Sequence, residues 1–177
     1  MSTNIFVTPL GGNLSTNQVT VTLNLAPSTN YSFTSLSNAT VNILDRPINN
    51  WLRANFTSAE QTNSLISGDA ANPDGDVLPN LLEYALGFAP KSANVNPFSP
   101  AMTNGIFQIT FPQSKAAADV ALLVEWSADL SNWFSGAGYV QSVNVTDVVT
   151  NRIYVVQPAT GVVTNKAGFF RLRATRL

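Results

Sequence analysis

Oxygen-bearing side chains recur at alternate positions through Asn72-Pro73-Asp74-Gly75-Asp76-Val77-Leu78-Pro79-Asn80 and end on Glu83. Counted from Asn72 they fall at positions 1, 3, 5, 9 and 12 of a twelve-residue stretch. A calcium ion needs about six to eight oxygens converging on one point, and alternate residues of a tight turn supply three before a helix brings in a bidentate carboxylate. The spacing points to Ca²⁺, with Asn72, Asp74 and Asp76 as the alternating ligands and Glu83 as the clamp. Leu78 at position 7 would offer its backbone carbonyl, Asn80 at position 9 would bind directly or through water, and Asp69 would add charge from just outside the loop. The same residues also permit a plain Asx-type turn, in which Asp76 merely sits near the N-terminus of a helix.

Two positions depart from the EF-hand pattern. Val77 stands at position 6, where Gly normally supplies a positive φ, so the loop must bend differently or carry strain. Pro79 stands at position 8, whose N–H normally pairs with a partner loop, and proline has none to give. A paired loop is therefore not expected. Proline suits the first position of a helix instead, and residues 79–86 read as a short helix ended by Gly87.

The elements that must hold this loop are mostly strands. Ile5-Phe6-Val7, Val19 to Leu25 and Ala39 to Leu44 alternate apolar and polar residues and are separated by Gly- and Pro-containing turns, the signature of antiparallel pairing. After Arg46-Pro47 the rhythm turns helical, with Trp51, Leu52 and Phe56, and Thr57-Ser58-Ala59-Glu60 reads as a capping box opening a second short helix. Pro90, Pro97 and Pro100 mark a linker. Beyond it, strands are expected near 106–111, 120–126, 139–145, 152–156 and 168–175. The fold class is thus mainly β: antiparallel sandwiches joined by a short helical calcium-loop connector. The divisions are residues 1–46 (strands), 47–100 (connector and linker) and 101–177 (an immunoglobulin- or fibronectin-like sandwich).

Composition narrows the function classes. In 177 residues the charged share is 11% and the formal net charge −1, so nothing builds the basic stripe that nucleic acid requires. Arg171, Arg173 and Arg176 alternate on the last strand and read as a solvated face. No stretch is long and apolar enough to span a membrane. The chain has no His, no Cys and only three Glu, leaving a serine nucleophile without its usual base. Glu125 and Asp129 are the remaining carboxylate pair to weigh for glycoside hydrolysis, but they lie on a strand and the turn after it, and a catalytic role is not expected. The absence of Cys, together with few Lys and abundant Asn and Thr, suits a bacterial protein outside the cell.

Val19 to Leu25, Tyr31 and Ala39 to Asp45 resemble the closing strands of a Calx-beta repeat. Trp51 to Gly87 resembles the solitary calcium loops of dockerin and thrombospondin type, as found near the C-termini of large secreted bacterial proteins. Val124 to Trp133 and Phe169 to Arg173 are similar to the sandwich that follows such a connector. The resemblance implies a non-catalytic, calcium-stabilised surface module. The strands before the connector are too few for a whole sandwich, so they are expected to pack on the rest of the chain or to be completed by strands of a neighbour, the latter giving a homo-oligomer or filament; equally, the chain reads as a piece of a longer protein cut inside a repeat. The alternative is an adhesion module that stacks cell-surface glycans on Trp133 and Tyr139.

Overall fold

The alternation of Val with Thr and Asn produces a ribbon in the N-terminal part. Gln18–Asn24 (β1) and Asn38–Leu44 (β2) pair antiparallel, with Val19 opposite Ile43, Val21 opposite Val41 and Leu23 opposite Ala39. One face is therefore wholly apolar and the other carries Thr and Asn, where Thr20 Oγ1 donates to Asn42 Oδ1 at 3.0 Å. The computed structural model describes residues 6–8, 18–32, 37–162 and 168–177. Of the expected strand at Ile5-Phe6-Val7, Ile5 lies outside the described residues, and Phe6 and Val7 are in no strand.

The chain forms two units, residues 1–50 and 51–177. Helix α1 (Pro47–Asn55) spans the boundary, and its start is held by Asp45, whose carboxylate accepts from Arg46 N–H and Asn49 Nδ2. In the second unit, α2 (Ser58–Gln61) opens with the full capping box: Glu60 N–H donates to Thr57 Oγ1 and Thr57 N–H to Glu60 Oε2. Short α3 (Ser64–Ser67) leads into the oxygen-rich loop, and α4 (Asn80–Leu86) leaves it. Pro79 is the cap of α4 rather than its first residue, so the helix begins one position later than the sequence suggests.

Seven strands follow: β3 (Ser99–Thr103), β4 (Ile106–Ser114), β5 (Val120–Ser127), β6 (Phe134–Ser135), β7 (Val140–Asp147), β8 (Asn151–Pro158) and β9 (Phe169–Arg176). They make two antiparallel sheets, ordered β3-β4-β8-β7 and β6-β5-β9. The period of two sends Ile109 and Phe111 of β4, Tyr154 and Val156 of β8, Leu122 and Val124 of β5, and Phe170, Leu172 and Ala174 of β9 into one apolar cluster. β3 and β6 were not foreseen. β3 contains Pro100, which an edge strand tolerates because the missing N–H faces away from its neighbour.

Leu78, Leu82 and Leu86 belong to that same cluster. The loop and α4 are thus built into the sandwich core, and the division at residue 100 does not separate two cores. The arginines of β9 are not simply solvated: Arg171 and Arg173 both pair with Glu125, at 2.6 and 3.1 Å.

Candidate metal centre

The loop holds its shape with its own side chains. Asn72 Oδ1 accepts from Gly75 N–H at 3.1 Å, Asp74 Oδ1 accepts from Asp76 N–H, and Asp76 Oδ1 accepts from Leu78 N–H. The left-handed residue is Gly75, at φ +74°, two positions before the one an EF-hand would use. Val77 is therefore spared a positive φ and points its side chain outward. Leu78 plunges into the core and anchors the loop to the sandwich.

These turns bring Asp74, Asp76 and Glu83 together, each with a carboxylate oxygen within 4.8 Å of the others. Glu83 is 0% exposed and Asn80 1%. Asn80 spends its Nδ2 on the carbonyls of Ile66 and Gly68, both at 2.9 Å, which fixes the amide and leaves Oδ1 for something else. Asp74 Oδ2, Asn80 Oδ1 and Glu83 Oε2 are all buried and accept no hydrogen bond among the described residues. A buried acceptor without a donor costs about 1–3 kcal/mol, and more when charged. Three such oxygens on one loop-helix unit are the pattern a cation would satisfy.

Electrostatics agree with the geometry. Burial, and then the charges of Asp74 and Asp76, raise the Glu83 carboxyl to about 8. Burial also acts on Asp76, but backbone N–H donors from Leu78 and Asn94 outweigh it and hold that group below the ordinary aspartate value. The candidate donors are all oxygens, in a chain with neither His nor Cys, a set that would suit a hard cation better than zinc or copper.

The expected ligand residues thus divide. Asp74, Asp76 and Glu83 converge, and Asn80, three residues before Glu83 on α4, carries a further buried oxygen that accepts no hydrogen bond among the described residues. Exposed Asn72 braces the turn, its Nδ2 also donating to the Asp76 carbonyl at 2.6 Å. Asp69 turns to the end of β9, where Arg176 Nε lies 2.8 Å away, so its charge is balanced there rather than lent to the loop. Asn94 is the residue the spacing could not show: its N–H donates to Asp76 Oδ2 at 2.8 Å and its Nδ2 to Glu83 Oε1 at 3.0 Å.

The aromatic candidates lie elsewhere. Trp133 is half-buried, donates its Nε1 to the Leu130 carbonyl at 3.0 Å, and carries the Arg171 guanidinium 4.2 Å from its ring centre. Tyr139 stacks on Phe134 at 4.7 Å. Glu125 and Asp129 are both held ionised. Burial acts on Glu125, but its two arginines prevail, while Asp129 accepts from the backbone and side chain of Asn132 and from Ser131 N–H.

Compared with known proteins, the chain matches no family model, no curated protein and no solved structure.

Proposed function

We propose that this chain is a non-catalytic structural module of a bacterial cell surface, braced by Ca²⁺ and able to associate with its own copies through strand complementation. The observation that carries the reading is Glu83: a fully buried carboxylate whose Oε2 has no donor among the described residues, set beside two more acidic side chains. Asp74, Asp76, Glu83 and Asn80 would hold the ion, and its charge would relieve the repulsion that burial imposes. Because α4 shares the sandwich core, occupation of the site would stiffen the whole second unit.

Melting in calcium and in chelator tests this. At a hundredfold excess over Kd, mass action adds about 2.7 kcal/mol, or roughly 5–10 °C in a chain of this size. Asp74→Ala should abolish the increment. Equal melting temperatures in calcium and chelator would reject the ion.

Strand edges support the second half of the proposal. The order β3-β4-β8-β7 with β6-β5-β9 supports an immunoglobulin-like reading of the second unit, and in that reading the strand that would flank β9 has no counterpart among the described residues. Between β9 and β3 lies a cleft of about 310 Å³ walled by Phe98, Pro100, Phe107, Ile109, Phe170 and Leu172. An extended, alternating strand is the shape that fits beside such an edge. The glycan alternative has less support, since Trp133 and Tyr139 already give ring surface to Arg171 and Phe134.

A further inference from the structure

The segment after α4 returns across the loop it has just left. Gly87, at φ +87°, closes the helix with its N–H on the Glu83 carbonyl, and Phe88 N–H shares that acceptor, so the chain reverses. The segment is then pinned along its length. Trp51 Nε1 reaches the Phe88 carbonyl, Pro90 is fully buried, Lys91 pairs with Glu60 at 2.6 Å, and Phe98 packs on the core just before β3. Midway stands Asn94, bonded to two different acidic residues of the loop-helix unit.

We propose that Asn94 is a metal ligand recruited from outside the twelve-residue loop, and that the cation thereby straps residues 88–98 onto the site. The inference rests on the cation reading above. Its physical basis is the amide. With Nδ2 on Glu83 Oε1, the Asn94 side chain places hydrogens among carboxylates that repel one another, a partial substitute for positive charge. A cation beside Glu83 would repel those hydrogens. Turning the planar amide over puts Oδ1 where Nδ2 stands, converting a donor into an oxygen ligand without moving the backbone. The Asn94 N–H to Asp76 Oδ2 bond would persist as an outer support that orients Asp76. The loop supplies three acidic side chains and Asn80, few for an ion that takes about six to eight oxygens, so a ligand from the strap answers a deficit.

Calorimetric titration of the full chain with CaCl₂, paired with hydrogen exchange, tests the assignment. Asn94→Ala should weaken binding by roughly 10–100-fold, whereas Ser92→Ala, on the exposed surface of the same segment, should leave it unchanged. Asn94→Asp supplies an oxygen and a charge. It should melt below wild type in chelator and bind calcium at least as tightly, and it keeps the question answerable if Asn94→Ala folds poorly. Calcium should slow exchange at residues 88–98 in wild type and not in Asn94→Ala. Undiminished binding by Asn94→Ala, weak binding by Asn94→Asp, or exchange at 88–98 indifferent to calcium would each overturn the strap while leaving the site. Failure of the wild type to bind calcium would remove the site itself.

Discussion

Glu83 sits where burial, charge and coordination act on a single carboxylate. Its ordinary value of 4.5 is raised to about 8 because the fully buried group loses water and faces Asp74 and Asp76, and the bond from Asn94 only partly compensates. The sign follows from linkage. A carboxyl whose folded value is raised contributes stability fully below its unfolded value and loses it as pH climbs toward the folded one, here between about 4.5 and 8. Without the ion, each pH unit in that window costs about 1.4 kcal/mol. Glu83→Gln, which cannot ionise, should therefore be more stable than wild type in chelator, by a margin that grows from pH 5 to pH 8. In calcium the order should invert, because Gln cannot act as a charged bidentate clamp. Urea unfolding of both proteins at several pH values, with and without calcium, reads both effects. A Glu83→Gln protein that unfolds more easily than wild type in chelator at pH 8 would mean that the ionised carboxylate is already compensated by the protein.

Helix α4 has seven residues, every one buried, and its end is fixed by a single glycine. A Cβ at Gly87 would lie 3.3 Å from both Asn151 Oδ1 and Ser114 Cβ while the backbone stays at φ +87°. Gly87→Ala should accordingly cost about 1–2 kcal/mol, measured by denaturant unfolding, and should weaken calcium binding because the strap begins at that turn. A neutral Gly87→Ala would show that the reversal is set elsewhere. This turn was legible in the sequence, as were β1, β2 and five strands of the sandwich, because β-branched alternation and a Gly after an apolar run report local geometry directly. β3 was hidden because Ser-Pro-Ala-Met-Thr has little apolar alternation and its pairing to β4 is a tertiary fact. The roles of Asp69 and Asn94 were hidden for a related reason. Arg176 meets Asp69 across 107 residues, and Asn94 reaches the site only because Gly87 reverses the chain, so ligand spacing within one loop carries no trace of either.

On the scale of the whole molecule, a deficit and a surplus stand side by side in one sequence. The β1–β2 ribbon has an apolar face on which Val19 and Val41 remain 38% and 39% exposed, and two-stranded ribbons are marginal in water. In the second unit β9 is an edge strand among the described residues, beside an apolar cleft. If a strand such as β1 from one copy serves the edge of the next, the contact is head-to-tail and grows into a ring or an open filament. Sedimentation in calcium over a wide concentration range should show species larger than the monomer, and electron microscopy should show their form. Val41→Lys places a charge on the face that self-association would bury and should return the protein to monomer, leaving the melting of the second unit unchanged because no residue of its core cluster is altered. A synthetic peptide of residues 18–25 should compete for the same edge and shorten the assemblies. Wild type that stays monomeric at high concentration in calcium would confine the protein's role to an ion-braced module without self-association, and would leave the ribbon's apolar face to a different partner.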